Sequence, residues 1–527
     1  MSDEDNRPAK RPFRLLTGWL LFFACFALLY LSTTQRGVGW QDSGGFQEAA
    51  LLPAKENVAK YAANGNLAIA HPAYMALARL SASFFRDSPA LAVNAVSSIC
   101  MAVAVANVWL LSLLTLARGR KLTAAVAAVL FGMAHMPWWM ATIAEVYATS
   151  AMMLSAELLL FLCALKEWNE ERLALCGLSS REARGFVYVL LAGITGLHFS
   201  VHGFAVLAWP VYAVTFFRQA VRHEVSWKIV PMALFAWLVG LLPLGPLVFA
   251  RAEVTSMPEA VANLLVGNAY SQEVLSLGQR WRSCVPANMG LFSLNFLNPT
   301  WILAGIGVCT ARSRFAHVAR FILVIHFVFF IRYFVADQAT FAIPTLLLFS
   351  LFAADGMARL TSSTRAAVLL LAATVLVPPV AYAVANTAIH RIRPAVAVRK
   401  VATPLRDDIR YWTLPWKHDE NSAERFSEEV ATTTEDDAII VADITAAAAL
   451  NAYFHAHPKT LGRRKIVTHL SSLANDYDSS FSLQTVLNRY RDRSWYVVRP
   501  FPGYVPNDGF LDCNYEKHGS MYRIKRD

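Results

Sequence analysis

Long apolar runs dominate the chain, beginning with 15-LLTGWLLFFACFALLYL-31. Two others, at 91–116 and 366–385, also contain no charged residue. A helix rises about 1.5 Å per residue, so about 20 apolar residues cross a hydrocarbon core of about 30 Å. Hydrophobic residues make up 56% of the 527 residues, more than a soluble protein of this length requires. The sequence therefore predicts a protein that crosses a membrane many times.

The hydrophobic pattern predicts eleven spans. They lie at about 15–34, 91–117, 122–141, 144–165, 184–200, 203–217, 229–250, 287–310, 318–336, 340–358 and 366–388. The first run follows a basic segment, as in a signal peptide, but it is too long and no small-residue cleavage site follows it. We therefore expect it to remain as a helix. The pair 184–200 and 203–217 also fits one long helix with a break near Gly203.

Basic residues set the predicted orientation. Lys and Arg concentrate in the N-terminal segment 1–14 and in alternate short loops such as 118–121 and 218–228, which the positive-inside rule places in the cytoplasm. This distribution explains the net charge of +11, and because no basic stripe is interleaved with aromatic residues we expect no nucleic-acid binding. With a cytoplasmic N-terminus, an odd number of spans places the C-terminal region outside.

Three regions are predicted to lie outside the membrane on that same outer side. Two are long loops, at 35–90 and 251–286, and the apolar stretch 64–79 in the first loop fits a short interfacial helix. The third is the polar tail, which predicts a small α/β domain. Its strand-like runs are 438–442, 465–467, 495–498 and 521–524, and its helical stretches include 445–454 and 483–491. The chain thus divides into a cytoplasmic N-terminus (1–14), a membrane domain (15–389) and an extracytoplasmic domain (390–527).

Ionisable residues from distant parts of the chain fall together at the outer ends of the predicted spans. They are Asp42, Glu48, His71, Glu145, His198, His202, Arg332 and Asp337. Ionisable groups at membrane depth are costly and therefore point to a functional site. Plainer interpretations stay open for the carboxylates. Asp42 and Glu48 can be solvated loop residues, Glu145 can cap a helix N-terminus, and Asp337 can form a structural pair with Arg332.

The histidines have two interpretations as well. His198 and His202 are four residues apart and share a helix face, which suits a metal site or a pair of hydrogen-bonded interior histidines. We favour the interior histidines, because no third ligand is near in sequence. Glu157 lies inside the fourth span and has no evident partner in the sequence.

Several short motifs follow one another in a fixed order. They are Trp40-Gln41-Asp42-Ser43-Gly44-Gly45-Phe46, Ala70-His71-Pro72, Val93-Asn94-Ala95-Val96-Ser97, Ala144-Glu145-Val146-Tyr147-Ala148, Gly196-Leu197 with His202, and Tyr333 with Asp337 and Pro344. In order and spacing they resemble a group of membrane proteins similar to protein O-mannosyltransferases, with the GT-C glycosyltransferase fold. The resemblance covers about 15–360 and extends to the tail, where a strand ends at Asp443. It implies an all-α polytopic bundle of about 11 transmembrane helices with a small C-terminal α/β extracytoplasmic domain.

The chain departs from the motifs of that group at several positions. The motif glutamate is Gly45 here, and Glu48, one helical turn later, is its expected substitute. The second proline and the glycine of the His-Pro element are Ala73 and Tyr74, and the asparagine before His202 is Val201.

The resemblance implies an inverting glycosyltransferase whose co-substrate is a polyprenyl-phosphate-linked sugar, with mannose as the first candidate. A hydroxyl is a poor nucleophile at neutral pH, so a placed carboxylate takes its proton as the sugar transfers. Asp42 is the expected base, and Glu48 and Glu145 are the other catalytic candidates. The residues expected to bind substrate are His71, Tyr147, His202 and Asp337, with Arg332, Arg280 and Arg282 as cations for the departing phosphate.

The expected partners are the lipid-linked donor, the surrounding lipid, and an acceptor that is a protein Ser or Thr hydroxyl, a glycan or another extracytoplasmic molecule. No cluster has metal-ligand spacing, so we assign no metal site and no cofactor, and a divalent metal stays an open alternative. A transporter or flippase is the first rival, although such sites usually lie at the bilayer midplane between inverted repeats, which the sequence lacks. A non-catalytic scaffold derived from an enzyme is the second, and Gly45 is its basis.

Overall fold

The computed structural model describes residues 10–116, 120–165, 180–267, 281–333, 335, 337–392, 401–469, 483–506 and 508–525. Its membrane part is helical. The helices are α1 (Lys10–Thr33), α2 (Gln41–Leu51), α3 (Ala54–Asn64), α4 (Pro72–Phe84), α5 (Pro89–Thr115), α6 (Lys121–Gly132), α7 (His135–Ala141), α8 (Val146–Leu165), α9 (Ser180–Val201), α10 (Trp209–Val221), α11 (Val230–Gly240), α12 (Gly245–Val254), α13 (Met257–Val266), α14 (Trp281–Leu294), α15 (Trp301–Thr310), α16 (Arg314–Arg332), α17 (Ile343–Leu360) and α18 (Thr364–Ile392).

Seven of the described helices are long and apolar enough to cross a membrane, and three bent helix pairs raise the number to ten. The bent pairs are α6 with α7, the helices around Gly240, and α14 with α15, with bends of 68°, 42° and 91°. They correspond to the predicted spans 122–141, 229–250 and 287–310. The predicted count of eleven helical spans is therefore not reproduced among the described residues.

The difference arises at the predicted span 203–217. The helix α9 stops because His202 adopts an extended backbone, and a 3-10 turn (Gly203–Leu207) then leads into the short α10. The 3-10 turn and α10 together run antiparallel to α9. Tyr188 of α9 donates to Gln219 Oε1 of α10 over 2.9 Å, and both residues lie toward the ends of their helices far from His202. The chain thus returns to the level where α9 began, through a turn and a helix rather than through one apolar helix.

The helices approach each other closely where glycine faces glycine. A Cβ atom on Gly307 of α15 would lie 1.9 Å from the carbonyl oxygen of Phe352, and one on Gly356 of α17 would lie 2.0 Å from that of Leu303. Small residues let helix backbones meet in a membrane, where burial of apolar surface drives little association. This pair of helices accordingly forms one of the tightest contacts of the bundle.

The first long loop, between α1 and α5, is compact rather than extended. It holds α2, α3, a 3-10 turn (Leu67–Ile69) and α4. The predicted interfacial helix is present as α4, although it begins and ends later than 64–79. Its exposed face carries Leu77, Leu80 and Phe84, as a helix lying along a membrane surface would.

The tail contains the predicted α/β domain. Its elements are α19 (Asp408–Thr413), α20 (Ser422–Thr433), β1 (Ile439–Val441), α21 (Ile444–Ala456), α22 (Pro458–Leu461), β2 (Lys465–Val467), α23 (Leu483–Arg489), β3 (Trp495–Val497), β4 (Tyr515–His518) and β5 (Met521–Ile524). The strand order is β2-β1-β3-β5-β4, with β2, β1 and β3 parallel and the last two antiparallel. Four strands were predicted; β4, joined to β5 by a two-residue turn with Gly519 at φ +57°, was not.

The tail packs directly on α2. The Trp40 indole, which is 1% exposed, donates to Ser422 Oγ over 2.8 Å and packs against the Phe426 ring. A Cβ atom on Gly44 would lie 2.9 Å from the backbone of Ala448 in α21. The helix that begins with Gln41 and Asp42 is therefore enclosed between the membrane bundle and the tail.

We expect Gly44→Ala to destabilise the protein by about 1–3 kcal/mol, because overpacking a close contact has this cost. The added methyl would also lie 2.5 Å from the carbonyl oxygen of Gly39, which is backbone and cannot rotate away. The measurement is the thermal midpoint in detergent, together with the rate at which protease releases the tail.

Gly45→Ala is the matched control. Its Cβ would meet nothing within 4 Å, and alanine is favoured over glycine within a helix by about 0.5–1 kcal/mol. Equal midpoints for the two variants would show that α2 and the tail are not in close contact.

Candidate active site

One cavity of about 530 Å³ lies where the first loop meets the ends of the membrane helices. It collects six of the residues predicted from the sequence: Asp42, His71, Glu145, Tyr147, His202 and Asp337. Its remaining walls are mainly aromatic and aliphatic, with Phe204 and Phe341 among them. Two other grooves, between α9, α10 and α11, are lined almost wholly by apolar residues. Polar groups are thus concentrated in the first cavity.

Asp42 owes its position to hydrogen bonds that tie α2 to α5. Gln47 accepts from the backbone N–H of Gly39 over 2.8 Å and donates to Asn94 Oδ1 over 2.9 Å. Asn94 in turn donates to the carbonyl oxygen of Gln35 over 2.8 Å. Gln41, directly before Asp42, has φ +57°, a strained conformation for a residue other than glycine. The surrounding bonds hold the chain in this conformation.

Glu145 is fixed through its own backbone. The Ser97 hydroxyl accepts from the N–H of Glu145 and lies within bonding distance of its carbonyl oxygen, both at 3.0 Å. Burial is the main reason that the pKa of Glu145 is raised well above 4.5, and the carboxylates of Asp42 and Asp337 add to the shift. The protonated form is therefore favoured, so that Glu145 can donate a hydrogen bond as well as accept one.

Tyr147 and Asp337 form the opposite wall. The Tyr147 hydroxyl donates to Asp337 Oδ2 over 2.8 Å. Burial raises the pKa of the Asp337 carboxyl, and this hydrogen bond opposes the rise. The pair joins the start of α8 to the turn before α17, two segments far apart in the sequence.

His71 and His202 stack on each other, with ring centroids 5.2 Å apart and planes at 16°. His71 Nδ1 lies 2.7 Å from the carbonyl oxygen of Val201, so this nitrogen carries a proton, whereas His202 Nδ1 accepts from the N–H of Phe204 over 3.1 Å. Burial lowers the pKa of His71 to about 4, and burial followed by the two neighbouring histidines lowers that of His202. The two rings are therefore neutral at pH 7, with Nε2 of His71 an acceptor and Nε2 of His202 a donor.

Glu48 does not occupy the place expected for it. Its carboxylate lies 3.7 Å from Lys60 Nζ on α3, and it is not among the cavity residues. Gly45 does line the cavity, and a Cβ there would have open space around it. The space that the motif glutamate would occupy is thus open, and Glu48 lies outside it, beside Lys60 of α3.

The predicted cations do not line the described part of the cavity. Arg332 ends α16 and is half-buried, but neither it nor any other described Lys or Arg is among the lining residues. Arg280 lies outside the described residues, and the side chain of Arg282 does as well. Their predicted role at the phosphate stays a prediction.

The two ring nitrogens of His198 bind neighbouring side chains. The ring of His198 is bonded to Glu157 Oε1 over 2.7 Å and to Ser150 Oγ over 2.8 Å, as expected of an interior histidine. Across the described ranges, no group of three or more His, Cys, Asp or Glu is arranged to hold a metal ion.

Sequence reasoning missed the two positioning residues of α5. Asn94 and Ser97 are both 0% exposed, and both lie in the quoted motif 93–97, so the motif was the available signal. What the motif does not reveal is which segments they bind: the first loop for Asn94 and the backbone of Glu145 for Ser97.

Comparison with known proteins gives one family match over part of the chain. Residues 61–225, which include His71, Glu145, Tyr147 and His202, match the family model described as the protein O-mannosyl-transferase TMEM260 N-terminal domain. No curated protein sequence matches the chain significantly.

Two solved structures are similar over nearly the whole chain. The crystal structure of ArnT from Cupriavidus metallidurans bound to undecaprenyl phosphate aligns with a TM-score of 0.55 at 13% identity, covering 96% of this chain and 98% of that one. ArnT in the apo state aligns with a TM-score of 0.53 at 16% identity, covering 97% and 98%. At such identities the likeness shows the fold. The predicted resemblance to GT-C glycosyltransferases of the protein O-mannosyltransferase-like group is confirmed, with its fold class.

We expect Glu145→Gln to raise the thermal midpoint, and to raise it more at pH 8 than at pH 5. The carboxyl has a higher pKa folded than unfolded, so its contribution to stability falls as the pH rises above 4.5. The amide removes that loss and keeps a hydrogen-bond donor. The expected difference is a few degrees at most, since about 1 kcal/mol shifts the midpoint by about 2–4 °C even in smaller domains.

Midpoints measured from pH 5 to 8 test this, with Glu56→Gln, an exposed carboxylate on α3, as the control. Parallel curves for wild type and Glu145→Gln would contradict a buried carboxyl with a raised pKa.

Proposed function

We propose that this chain transfers a sugar, with inversion, from a polyprenyl-phosphate donor to a hydroxyl acceptor on the extracytoplasmic side of the membrane. The observation that carries the proposal is that one cavity is lined by the carboxyl groups of Asp42, Glu145 and Asp337 together with the imidazoles of His71 and His202. The cavity lies at the ends of the helices, and α2 separates it from the tail. A reaction between a membrane-bound donor and a water-borne acceptor requires a site at this boundary.

Asp42 is the proposed general base. An acceptor hydroxyl must lose its proton as it attacks the anomeric carbon, and one carboxylate suffices for a single displacement with inversion. Asp42 is the most exposed of the three cavity carboxylates, which suits a group that must be ionised and must meet the acceptor. The strained Gln41 before it is consistent with a position set by function.

The other polar groups of the cavity suit recognition of sugar hydroxyls. A protonated Glu145, the donor Nε2 of His202 and the acceptor Nε2 of His71 together offer both kinds of hydrogen bond at neutral pH. The Asp337 carboxyl, which accepts a hydrogen bond from Tyr147, is a second carboxyl group beside Glu145 for binding sugar hydroxyls. The stacked imidazoles bind by hydrogen bonding rather than by charge, so any contact with a phosphate would be through an N–H group.

The lipid donor fits the walls of the site. Phe204, Leu207, Leu265 and Phe341 give the cavity apolar walls, against which the first units of a polyprenyl chain can pack. The structurally similar ArnT binds undecaprenyl phosphate, which supports a lipid phosphate as donor. The leaving phosphate needs cations, and Arg332, Arg280 and Arg282 are the proposed ones.

The acceptor and the sugar are proposed from the matched family. Its description as a protein O-mannosyl-transferase supports a protein Ser or Thr hydroxyl as acceptor and mannose as sugar. No resident cofactor is proposed, and the requirement for a divalent ion is open to a direct test with a chelator. The N-terminus would then be cytoplasmic, and the tail extracytoplasmic.

The rival functions fit less well. A transporter binds near the bilayer midplane, whereas the cavity residues here lie at helix ends and in loops. A scaffold without activity remains compatible with Gly45, because the cavity lacks the second carboxylate of that motif. The proposed enzyme and an inactive scaffold differ in whether the function of the protein requires the Asp42 carboxylate.

We expect Asp42→Asn to lower transfer from a panel of polyprenyl-phosphate sugars by about 10²–10⁴-fold, the usual contribution of a general base. The variant should fold, because the Asp42 carboxyl is exposed. Turnover and thermal midpoint are measured together. Glu56→Gln, in the same loop but exposed and outside the cavity, is the control, and Glu48→Gln reports whether that carboxylate acts in place of the missing one.

A wild-type protein without turnover on any donor would count against the proposed enzyme. Equal turnover by Asp42→Asn and wild type would instead remove Asp42 as the base while leaving sugar transfer intact.

A further inference from the structure

A cluster of buried polar residues lies one helical turn below the cavity. His198 of α9 places Nδ1 2.7 Å from Glu157 Oε1 and Nε2 2.8 Å from Ser150 Oγ, both on α8. The Tyr212 hydroxyl, on α10, donates to Glu157 Oε2 over 3.2 Å. Glu157 is 0% exposed, His198 1% and Ser150 2%. Three helices are thus joined by hydrogen bonds inside the apolar bundle.

Stability alone is a weak reason for such a cluster. Taking ionisable groups out of water is costly, and apolar residues of similar volume often replace a buried pair with no loss of stability. Ionisable residues within membrane helices therefore suggest a role in function. The cluster lies too deep for contact with the substrate, since none of Glu157, His198 and Ser150 is among the residues that line the cavity.

The bonding order Ser150–His198–Glu157 is the order of a hydrolytic triad. A nucleophile must reach its substrate, however, and Ser150 is buried. The arrangement therefore lacks the access that hydrolysis requires. The cluster must act through other residues.

Those residues lie at the cavity ends of the same helices. Ser150 is three residues after Tyr147 on α8, and His198 is four residues before His202. The N–H of His202 bonds to the carbonyl oxygen of His198 over 2.8 Å, in the last turn of α9. Both ring nitrogens of His198 are held, so this turn is fixed just before the chain leaves the helix.

The last turn of α9 is in direct contact with both imidazoles of the cavity, those of His71 and His202. His71 bonds through Nδ1 to the carbonyl oxygen of Val201, which belongs to the same turn, and stacks on His202. The Tyr147 ring lies 5.5 Å from that of His202. A shift of His198 would therefore move His71, His202 and their contact with Tyr147 together.

We infer that Glu157 and His198 are positioning residues, which hold the imidazoles of His71 and His202 in place through the last turn of α9. The inference rests on the proposed function for its chemistry. It rests on the hydrogen bonds alone for the placement of His202.

The test uses the full-length protein and five variants, of which four alter Glu157 or His198 and the fifth, Ser150→Ala, is described last. Glu157→Gln keeps the shape, with an oxygen for His198 and an amide for Tyr212. Glu157→Leu and His198→Leu each leave a buried partner unsatisfied. The double variant Glu157→Leu/His198→Leu replaces the pair by apolar residues and should regain thermal stability relative to the single ones.

Two measurements separate positioning from stability. The first is kcat and KM for the donor, because a displacement of about 1 Å in a site can cost about 100-fold in rate. The second is the rate at which diethyl pyrocarbonate modifies His202, read by mass spectrometry, with the exposed His455 of the tail as the internal control. The reagent reports imidazole environment without any turnover.

We expect the double variant to unfold at a higher temperature than either single variant, while its kcat/KM stays about 10- to 100-fold below wild type and the modification rate of His202 changes. Glu157→Gln should stay within about threefold of wild type, because its hydrogen bonds persist. Recovery of activity together with stability in the double variant would overturn the inference, since the pair would then be structural only.

Ser150→Ala decides the matter if the double variant does not fold. It removes only the bond to His198 Nε2 and leaves the pair intact, and we expect a smaller loss in kcat/KM with a changed rate at His202. Unchanged kinetics and unchanged modification in this variant would overturn the inference. Wild-type protein that transfers no sugar would refute the proposed function, and the modification rates would still show whether Glu157 and His198 place His202.

Discussion

The site depends on how α5 satisfies its few polar side chains. Asn94 and Ser97 are fully buried in apolar surroundings, where a polar group without a partner costs about 1–3 kcal/mol. Asn94 finds its partners in the first loop, and Ser97 finds them in the backbone of Glu145. One helix thereby locates both Asp42 and Glu145, although the two belong to segments far apart along the chain.

Most of the fold could be predicted, because apolar run length is a local property of the sequence. The four strands that were predicted are mostly apolar, with at most one charged residue each, whereas β4 has Glu516 and Lys517 at its centre and lies at the edge of the sheet. The end of α9 at His202 depends on a backbone conformation that no run length reveals. The predicted helical pair became a helix, a turn and a shorter helix for that reason.

The members of the site could be predicted, but their partners could not. Motifs and charge predicted six residues that line one cavity, since each lies near the end of a span or in the first loop. Spacing suggested that Glu48 could replace the glutamate missing at Gly45, but Glu48 does not line the cavity and lies beside Lys60 of a separate helix. Glu157 had no partner in the sequence because its partners are on α9 and α10, and only tertiary packing brings them within hydrogen-bond distance.

Gly44 and Gly45 are neighbours on α2, yet one contacts the tail and the other opens on the cavity. The helix α2, which is only a few turns long, thus separates the tail from the cavity. A displacement of α21 in the tail therefore reaches α2 and Asp42 through the contact of Gly44 with Ala448, without passing through the membrane bundle. The tail and Asp42 are thereby coupled through α2, so an acceptor that binds the tail would also act on the proposed base.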